Sequence, residues 1–433
     1  MTVLRELLER ERRVFRERTP GSEALFRRAQ RTLPGGVASS FQRREPWPVY
    51  VARGQGARVW DVDGNEYIDF HNGFSAMVQG HAHPAIGAAV ERRLALGTHF
   101  GAPTEEAVAV SEELARRFGL PSWRFTNSGT ESTMDAIRIA RAYTGRDDIV
   151  KVAGAYHGHH DPVMVGVRTE MALPWGEGIP RSTVEQTHLV EFNSAAVLER
   201  RLAELAAGGR APACVIVEPV MMRGRVVPPA PGYLEAVRKT AHAHGALLIF
   251  DEVKTGLTIA AGGASERFGV RPDMVALAKA LGGGLPSGAI GMTDSVAEYV
   301  ETGRVHQVGT FNGNPLSMAA ARASLEDVLT PAAYDHLEAL GERMRAGCQA
   351  LIDEHGLPAE AVALGSKGCV RHDTEVGELI WLWSLNRGLF ATPGEQEWSV
   401  TVAHDDAAVD RYVEVFAELA AALSPRPSGS ARA

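Results

Sequence analysis

Cysteine is scarce in this 433-residue chain. Three thiols, Cys214, Cys348 and Cys369, are too few and too scattered for a disulfide framework or a thiolate zinc site, and they suit a reducing cytoplasm. An excess of positive charge is also missing. The 45 Lys and Arg against 53 Asp and Glu leave a net charge of −8, with no basic stripe to displace counterions from nucleic-acid phosphates. No apolar run reaches the roughly 18 residues that a membrane helix needs. Arg5, Glu6, Glu9 and Arg10 interrupt the start, so no signal-peptide core forms there. Internal repeats and long low-complexity linkers are absent too. What is present is an ordinary globular composition, 45% apolar and 23% charged. At roughly 150 residues per domain the length predicts two or three domains.

Along the chain, Met1 to Pro20 reads as an amphipathic helix with Leu4, Leu7, Leu8 and Val14 on one side. It is either an arm that grips a partner subunit or a solvated terminal helix. Ala57 to Phe70 reads as a hairpin: Ala57-Arg58-Val59-Trp60, a turn at Asp63-Gly64, and a return along Tyr67-Ile68-Asp69-Phe70. From about Pro84, short apolar runs alternate with helical stretches. The runs are Ile149-Val150-Lys151-Val152, Cys214-Val215-Ile216-Val217, Leu247-Leu248-Ile249-Phe250 and Met274-Val275-Ala276-Leu277. Buried strands separated by helices predict a mostly parallel central sheet covered by helices. After Pro331 come a long helix (Tyr334, Leu337, Leu340, Met344, Leu351) and a last one from Ala407 to Leu423. The expected fold is α/β, with a smaller α+β domain built from both chain ends. Its parts are an arm and hairpin segment over 1–83, a large domain over 84–330, a C-terminal section over 331–424 and a disordered tail over 425–433.

In an open parallel sheet, ligands sit beyond the carboxyl ends of the strands. The residues there are Glu218-Pro219, Asp251-Glu252-Val253 and Ala278-Lys279. Taken alone, Asp251 and Lys279 fit a structural ion pair as well as a functional one. Asn127-Ser128-Gly129-Thr130-Glu131 opens a helix and fits two readings as well. It is an ordinary N-cap, or a phosphate site in which free N–H groups and the positive dipole end meet an anion. Together, the phosphate cradle, strand-end carboxylate and strand-end lysine match the three handles of pyridoxal 5′-phosphate. The lysine condenses with the aldehyde, the acid pairs with the ring nitrogen, and the helix start holds the phosphate. Nucleotide cofactors fit poorly: there is no Gly-x4-Gly-Lys-Ser/Thr, and Gly282-Gly283-Gly284 does not follow the dinucleotide fingerprint. His157, His159, His160 and Asp161, with His81 and His83, invite a metal reading. Three histidines within four residues rarely place all their nitrogens on one ion, however, and no HExxH spacing occurs. No metal is expected.

From Leu33 to Leu325 the chain resembles the class III, or ω-type, aminotransferases of pyridoxal-phosphate fold type I. Within them it is most similar to the branch containing glutamate-1-semialdehyde 2,1-aminomutase. The resemblance rests on Pro34-Gly35-Gly36-Val37, Asp61 to Asp69, Gly80-His81-Ala82-His83-Pro84, Asn127 to Glu131, Tyr156-His157-Gly158, Phe250 to Val253, Lys279 with Gly282 to Pro286, and Gly309 to Pro315. It implies that Lys279 is the Schiff-base lysine and the acid/base of the 1,3-proton shift, and that Asp251 pairs with the pyridinium. Val253 and Tyr156 would face opposite sides of the ring, with His157 close by. Ser128, Gly129 and Thr130 would hold the phosphate, and Glu218 would sit near the phenolic side. Thr310 would reach the phosphate of the other subunit, which implies a homodimer with shared active sites.

Substrate residues are carried less far. Gln42 stands where the aminomutase has a carboxylate-binding arginine, with Arg43 one step along, and Phe74 stands where it has a tryptophan. The Ala-Gly-Ser-Gly gate of the aminomutase is missing; Val165-Gly166-Val167-Arg168-Thr169 occupies that region. Glu397, in the Phe390 to His404 segment, corresponds to a glutamate at the family's active-site mouth, and Ser366 to Leu379 is compressed. Without the gate, intermolecular ping-pong transamination between small amino and keto or aldehyde substrates is the expected reaction. The alternatives are the 2,1-aminomutase, a fold-type-I decarboxylase or racemase, and a binding protein without turnover.

Overall fold

The computed structural model describes residues 2–168, 171–223, 225–372, 376–392 and 397–424. The chain divides into two compact units. One holds the described residues of Met1–Phe74, Gly80–His83 and Leu337–Ala433, and the other Ser75–Gln79 and Pro84–His336. The anticipated boundary at residue 331 therefore shifts to Leu337, inside the helix Pro331–His355.

The larger unit is organised by a seven-stranded sheet. Its spatial order is Ser122–Thr126, Gly288–Met292, Met274–Leu277, Leu247–Asp251, Cys214–Val217, Ile149–Val152 and Thr187–Val190. Only Gly288–Met292 runs antiparallel to its neighbours. All four apolar runs are strands, each buried along its length, as a sheet covered on both faces requires. Ala136, Ile137 and Ala140 of the helix Gly129–Thr144 are buried in the same core as Ile149, Ile216, Ile249 and Met274. The mostly parallel α/β sheet is the architecture that the alternating pattern implies.

The smaller unit contains the hairpin, with Arg58–Asp61 antiparallel to Glu66–Asp69 and Gly64 at φ +85° in the turn. Val51–Gln55 extends this sheet on one side and Leu389–Phe390 on the other. A second sheet joins Ala359–Leu364, Lys367–His372 and Glu397–Ser399. The compressed stretch thus keeps its strand, Lys367–His372, at the centre of a sheet; residues 373–375 lie outside the described residues, as do Thr169, Pro393 and the tail 425–433. The N-terminal helix Thr2–Arg18 corrects the reading of a solvated terminal helix. Phe15 is buried with Trp47, Val59, Tyr67, Trp381 and Leu382, and buried Glu11 accepts from Asn386 Nδ2 at 2.8 Å. Leu8 of the expected apolar side packs against this cluster, and Phe15 and a paired carboxylate add to the anchor.

Among the described residues no helix is long and apolar enough to cross a membrane. The three cysteines are buried, and burial pushes each thiol up to about 12.

Candidate active site

The strands ending at Val152, Val217, Asp251 and Leu277, together with Thr126, present their carboxyl ends at one edge of the sheet. Register puts Glu218 beside Asp251, since Val217 pairs with Phe250, and Asp251 pairs with Ala276, three residues before Lys279.

The helix Gly129–Thr144 starts at this edge. Ser128 is its N-cap, extended at φ −157°, ψ 161°, and its Oγ accepts from Glu131 N at 3.2 Å. Glu131 Oε2 in return accepts from Asn127 N at 2.6 Å, a variant of the capping box. These bonds satisfy the N–H groups of Asn127 and Glu131 and leave those of Gly129 and Thr130 without an intrahelical acceptor, the arrangement that binds a phosphate. One turn can therefore serve both as a cap and as a phosphate cradle.

Gly129 is where neighbours of the three expected handles meet. A Cβ there would stand 2.8 Å from Val253 Cγ1 and 3.5 Å from Ala278 Cβ. The helix start, the residue two past Asp251 and the residue before Lys279 therefore converge on one point. Ser132 Oγ adds a bond to Leu277 O at 3.0 Å. Lys279 itself has φ +45°, a left-handed conformation costing a non-glycine residue about 1–2 kcal/mol. Such strain concentrates where a side-chain direction serves function.

Asp251 is buried and held at both oxygens. Val253 N–H donates to Oδ1 at 3.0 Å, and His157 Nδ1 lies 2.8 Å from Oδ2. His157 is fixed in turn, its carbonyl accepting from Thr133 Oγ1 at 2.6 Å. Glu218 Oε1 accepts from Tyr156 N at 2.9 Å and Oε2 from Met222 N at 3.2 Å. Burial raises the Glu218 pKa, with the Asp251 charge adding and His157 opposing. Burial likewise raises that of Tyr156. Gly158, at φ +102°, lies so close to the helix that a Cβ would fall 2.7 Å from Thr130 Oγ1.

The histidine cluster diverges. His157 serves Asp251, His159 Nδ1 contacts Thr130 Oγ1 at 3.0 Å, and His160 Nε2 contacts Thr133 Oγ1 at 3.3 Å. No group of three potential ligands suited to a metal occurs among the described residues.

Thr310 is exposed, two residues before Asn312, whose Oδ1 accepts from Asn127 Nδ2 at 3.0 Å. The three substrate-side residues belong to the smaller unit. Arg43 is exposed and lies 3.4 Å from Glu45. Phe74, in positive φ, packs on His71 and Phe41 with ring centroids 4.3 and 5.8 Å away. Glu397 is buried in its strand, in register with Cys369. The sequence reading missed the supporting residues Thr133 and Lys151; the one available signal was a lysine inside an apolar run.

A tight glycine at a helix start, a carboxylate oriented at both oxygens and a strained lysine beside them fit pyridoxal 5′-phosphate. Residues 40–374 match the family model Aminotransferase class-III. A glutamate-1-semialdehyde 2,1-aminomutase from Sorangium cellulosum is 41% identical over 94% of this chain and 97% of its own. A glutamate-1-semialdehyde-aminomutase from Pseudomonas aeruginosa, solved in complex with PMP, superposes with a TM-score of 0.90 at 31% identity, over 98% of this chain and 99% of that one. An omega-transaminase from Sphaerobacter thermophilus gives 0.86 at 35% identity, over 93% and 97%. The chain belongs to the class III aminotransferases, pyridoxal-phosphate-dependent enzymes of fold type I.

Proposed function

We propose that this enzyme is a transaminase: it moves an amino group from a donor to a separate keto or aldehyde acceptor, with the first product leaving before the acceptor binds. The observation that carries this reading is the segment after Tyr156-His157-Gly158. Where the aminomutase branch has a gate that retains half-converted substrate, this chain has a tied turn. Val165 and Val167 are buried, Val165 bridges to Pro174, and Gly154 N donates to Gly166 O at 2.7 Å. Gly166 N donates to Leu173 O at 2.9 Å. These ties hold the described residues on either side of the segment, which supports exchange of the product with solvent.

The bound cofactor supplies an aldehyde for the substrate amine and a ring that takes up electrons from the broken C–H bond. Lys279 provides the amine that holds the cofactor and moves the proton between carbons. Asp251, kept in place by His157 and Val253, offers its carboxylate to the ring nitrogen. Ser128, Gly129 and Thr130 receive the phosphate, Val253 and Tyr156 bracket the ring, and Glu218 lies on its phenolic side. Arg43 is our candidate for a substrate carboxylate, because its pairing with exposed Glu45 is weak enough to exchange. Phe74 is the candidate for side-chain contact; Glu397, being buried, rests on the resemblance alone.

We assign a homodimer in the cytoplasm. Leu96 (70% exposed), Phe100, Val308 (78%) and Phe311 leave large apolar surface on the larger unit, and His99 stacks near Phe311 at 4.9 Å. Thr310 lies among these residues, as a residue reaching a partner's site would. The buried, unbridged thiols suit the compartment.

The second reading, the 2,1-aminomutase, is favoured by the Sorangium cellulosum relative. A half-reaction screen separates the two. The holoenzyme is mixed with α-, β- and ω-amines without acceptor, and separately with glutamate-1-semialdehyde and 4,5-diaminovalerate. Bleaching of the yellow colour with release of about one equivalent of keto product supports transamination. Conversion of glutamate-1-semialdehyde to its 5-amino-4-oxo isomer, with no keto product released from the donor amines, refutes it in favour of the mutase, and released carbon dioxide refutes both.

A further inference from the structure

The strand Ile149–Val152 is buried along its whole length, yet its third residue is a lysine. Register places Lys151 between Leu189 and Ile216. Moving an ammonium from water into such surroundings is strongly unfavourable unless its protons find acceptors. Here they find three. Nζ donates to the carbonyls of Ala155 at 3.0 Å, Val163 at 3.1 Å and Val165 at 2.9 Å. Three oxygens match the three protons of an ammonium. Burial pulls the pKa down to about 7; Glu218 opposes that fall and Arg223 adds to it. The carbonyls are what hold the charge in place.

Those carbonyls mark the two ends of one excursion. Ala155 directly precedes Tyr156, and Val163 and Val165 close the far end. Between them lie His157, His159 and His160. Tyr156 N is bonded to Glu218, and His157 meets both Asp251 and Thr133. We infer that Lys151 is a positioning residue for the cofactor site: its ammonium gathers both ends of the 155–165 excursion and so holds His157 against Asp251 and Tyr156 beside Glu218. It acts through backbone carbonyls. An arginine would not replace it, because a planar guanidinium cannot point three donors at three converging oxygens.

Lys151→Met keeps the apolar stem and removes the donors; Lys151→Gln restores two of them. The two full-length variants and the parent chain, freed of cofactor, are titrated with pyridoxal 5′-phosphate, and amide exchange is followed by mass spectrometry. For Lys151→Met we expect a dissociation constant at least tenfold higher. Exchange should be faster across residues 153–168 and unchanged in the helix Pro331–His355. Lys151→Gln should recover part of both. Parental affinity and exchange in Lys151→Met would overturn the inference, as would a Gln variant no better than Met. Failure of both variants to fold would also overturn it, since Lys151 would then support the whole core rather than this excursion. None of these readouts depends on whether the enzyme is a transaminase or a mutase.

Discussion

His157 Nδ1 stands 2.8 Å from Asp251 Oδ2, and both side chains are buried. A buried carboxylate that accepts from an imidazole and a backbone amide is fixed in direction, and hydrogen bonds to its charged form are the strong ones. His157→Leu removes that donor and should lower kcat/KM by about 10–100-fold, the range of a charge-assisted bond worth about 1.5–3 kcal/mol. Asp251→Asn should cost more, about 1,000-fold, because it removes the acid itself. Steady-state kinetics with a donor found in the half-reaction screen measure both, and an Asp251→Asn variant within tenfold of the parent would remove Asp251 from the site.

Lys279→Ala should bind pyridoxal 5′-phosphate without attaching it. Borohydride treatment followed by denaturing mass spectrometry should leave a pyridoxyl mass on the peptide containing Lys279 in the parent and none in the variant. Normal turnover by the variant would refute the lysine's role.

Gly129→Ala places a methyl 2.8 Å from Val253 Cγ1. Overpacking of this kind costs about 1–3 kcal/mol, and it falls at the proposed phosphate site. The dissociation constant for the cofactor should rise about tenfold or more, while the unfolding midpoint drops by a smaller proportion. Equilibrium titration of the cofactor-free variant tests this.

His160 governs part of the acid stability. Burial, joined by the charges of His157 and Arg141, pulls its pKa down to about 3 from 6.5. The folded chain therefore holds it neutral while the unfolded chain protonates it. Stability is retained above pH 6.5 and lost as pH falls toward 3, by up to about 1.4 kcal/mol per pH unit. Urea unfolding at a series of pH values should show that slope, and His160→Gln should flatten it.

Glu252 accepts from Ala264 N at 2.6 Å, Ser265 N at 3.0 Å, Ser265 Oγ at 3.0 Å and Thr255 Oγ1 at 3.0 Å. Glu252→Gln turns an amide donor toward donors and should destabilise the larger unit by about 1–3 kcal/mol. Calorimetry of the full chain measures the fall.

Much of this candidate site could be proposed from the sequence because its residues sit at marked points of the pattern. Asp251 and Lys279 follow apolar runs, and Ser128-Gly129-Thr130 opens an amphipathic helix. The Asp63-Gly64 turn announced the hairpin for the same reason, a local backbone demand answered by a local residue. The supporting roles of Phe15, Glu11, Thr133 and Lys151 were not legible in this way. Their partners are distant in sequence or are backbone carbonyls, and no periodicity encodes them.

Chain chemistry alone determined the alternation of strands and helices, the sheet edge on which the candidate groups gather, and the motifs that carry the family resemblance. Each of these follows from local periodicity and short motifs. Folding in three dimensions settled which oxygen of Asp251 faces His157, that Gly129 touches both Val253 and Ala278, and that a lone lysine ties one excursion at both ends. Such contacts join residues whose spacing along the chain is arbitrary, so only packing brings them within hydrogen-bond range.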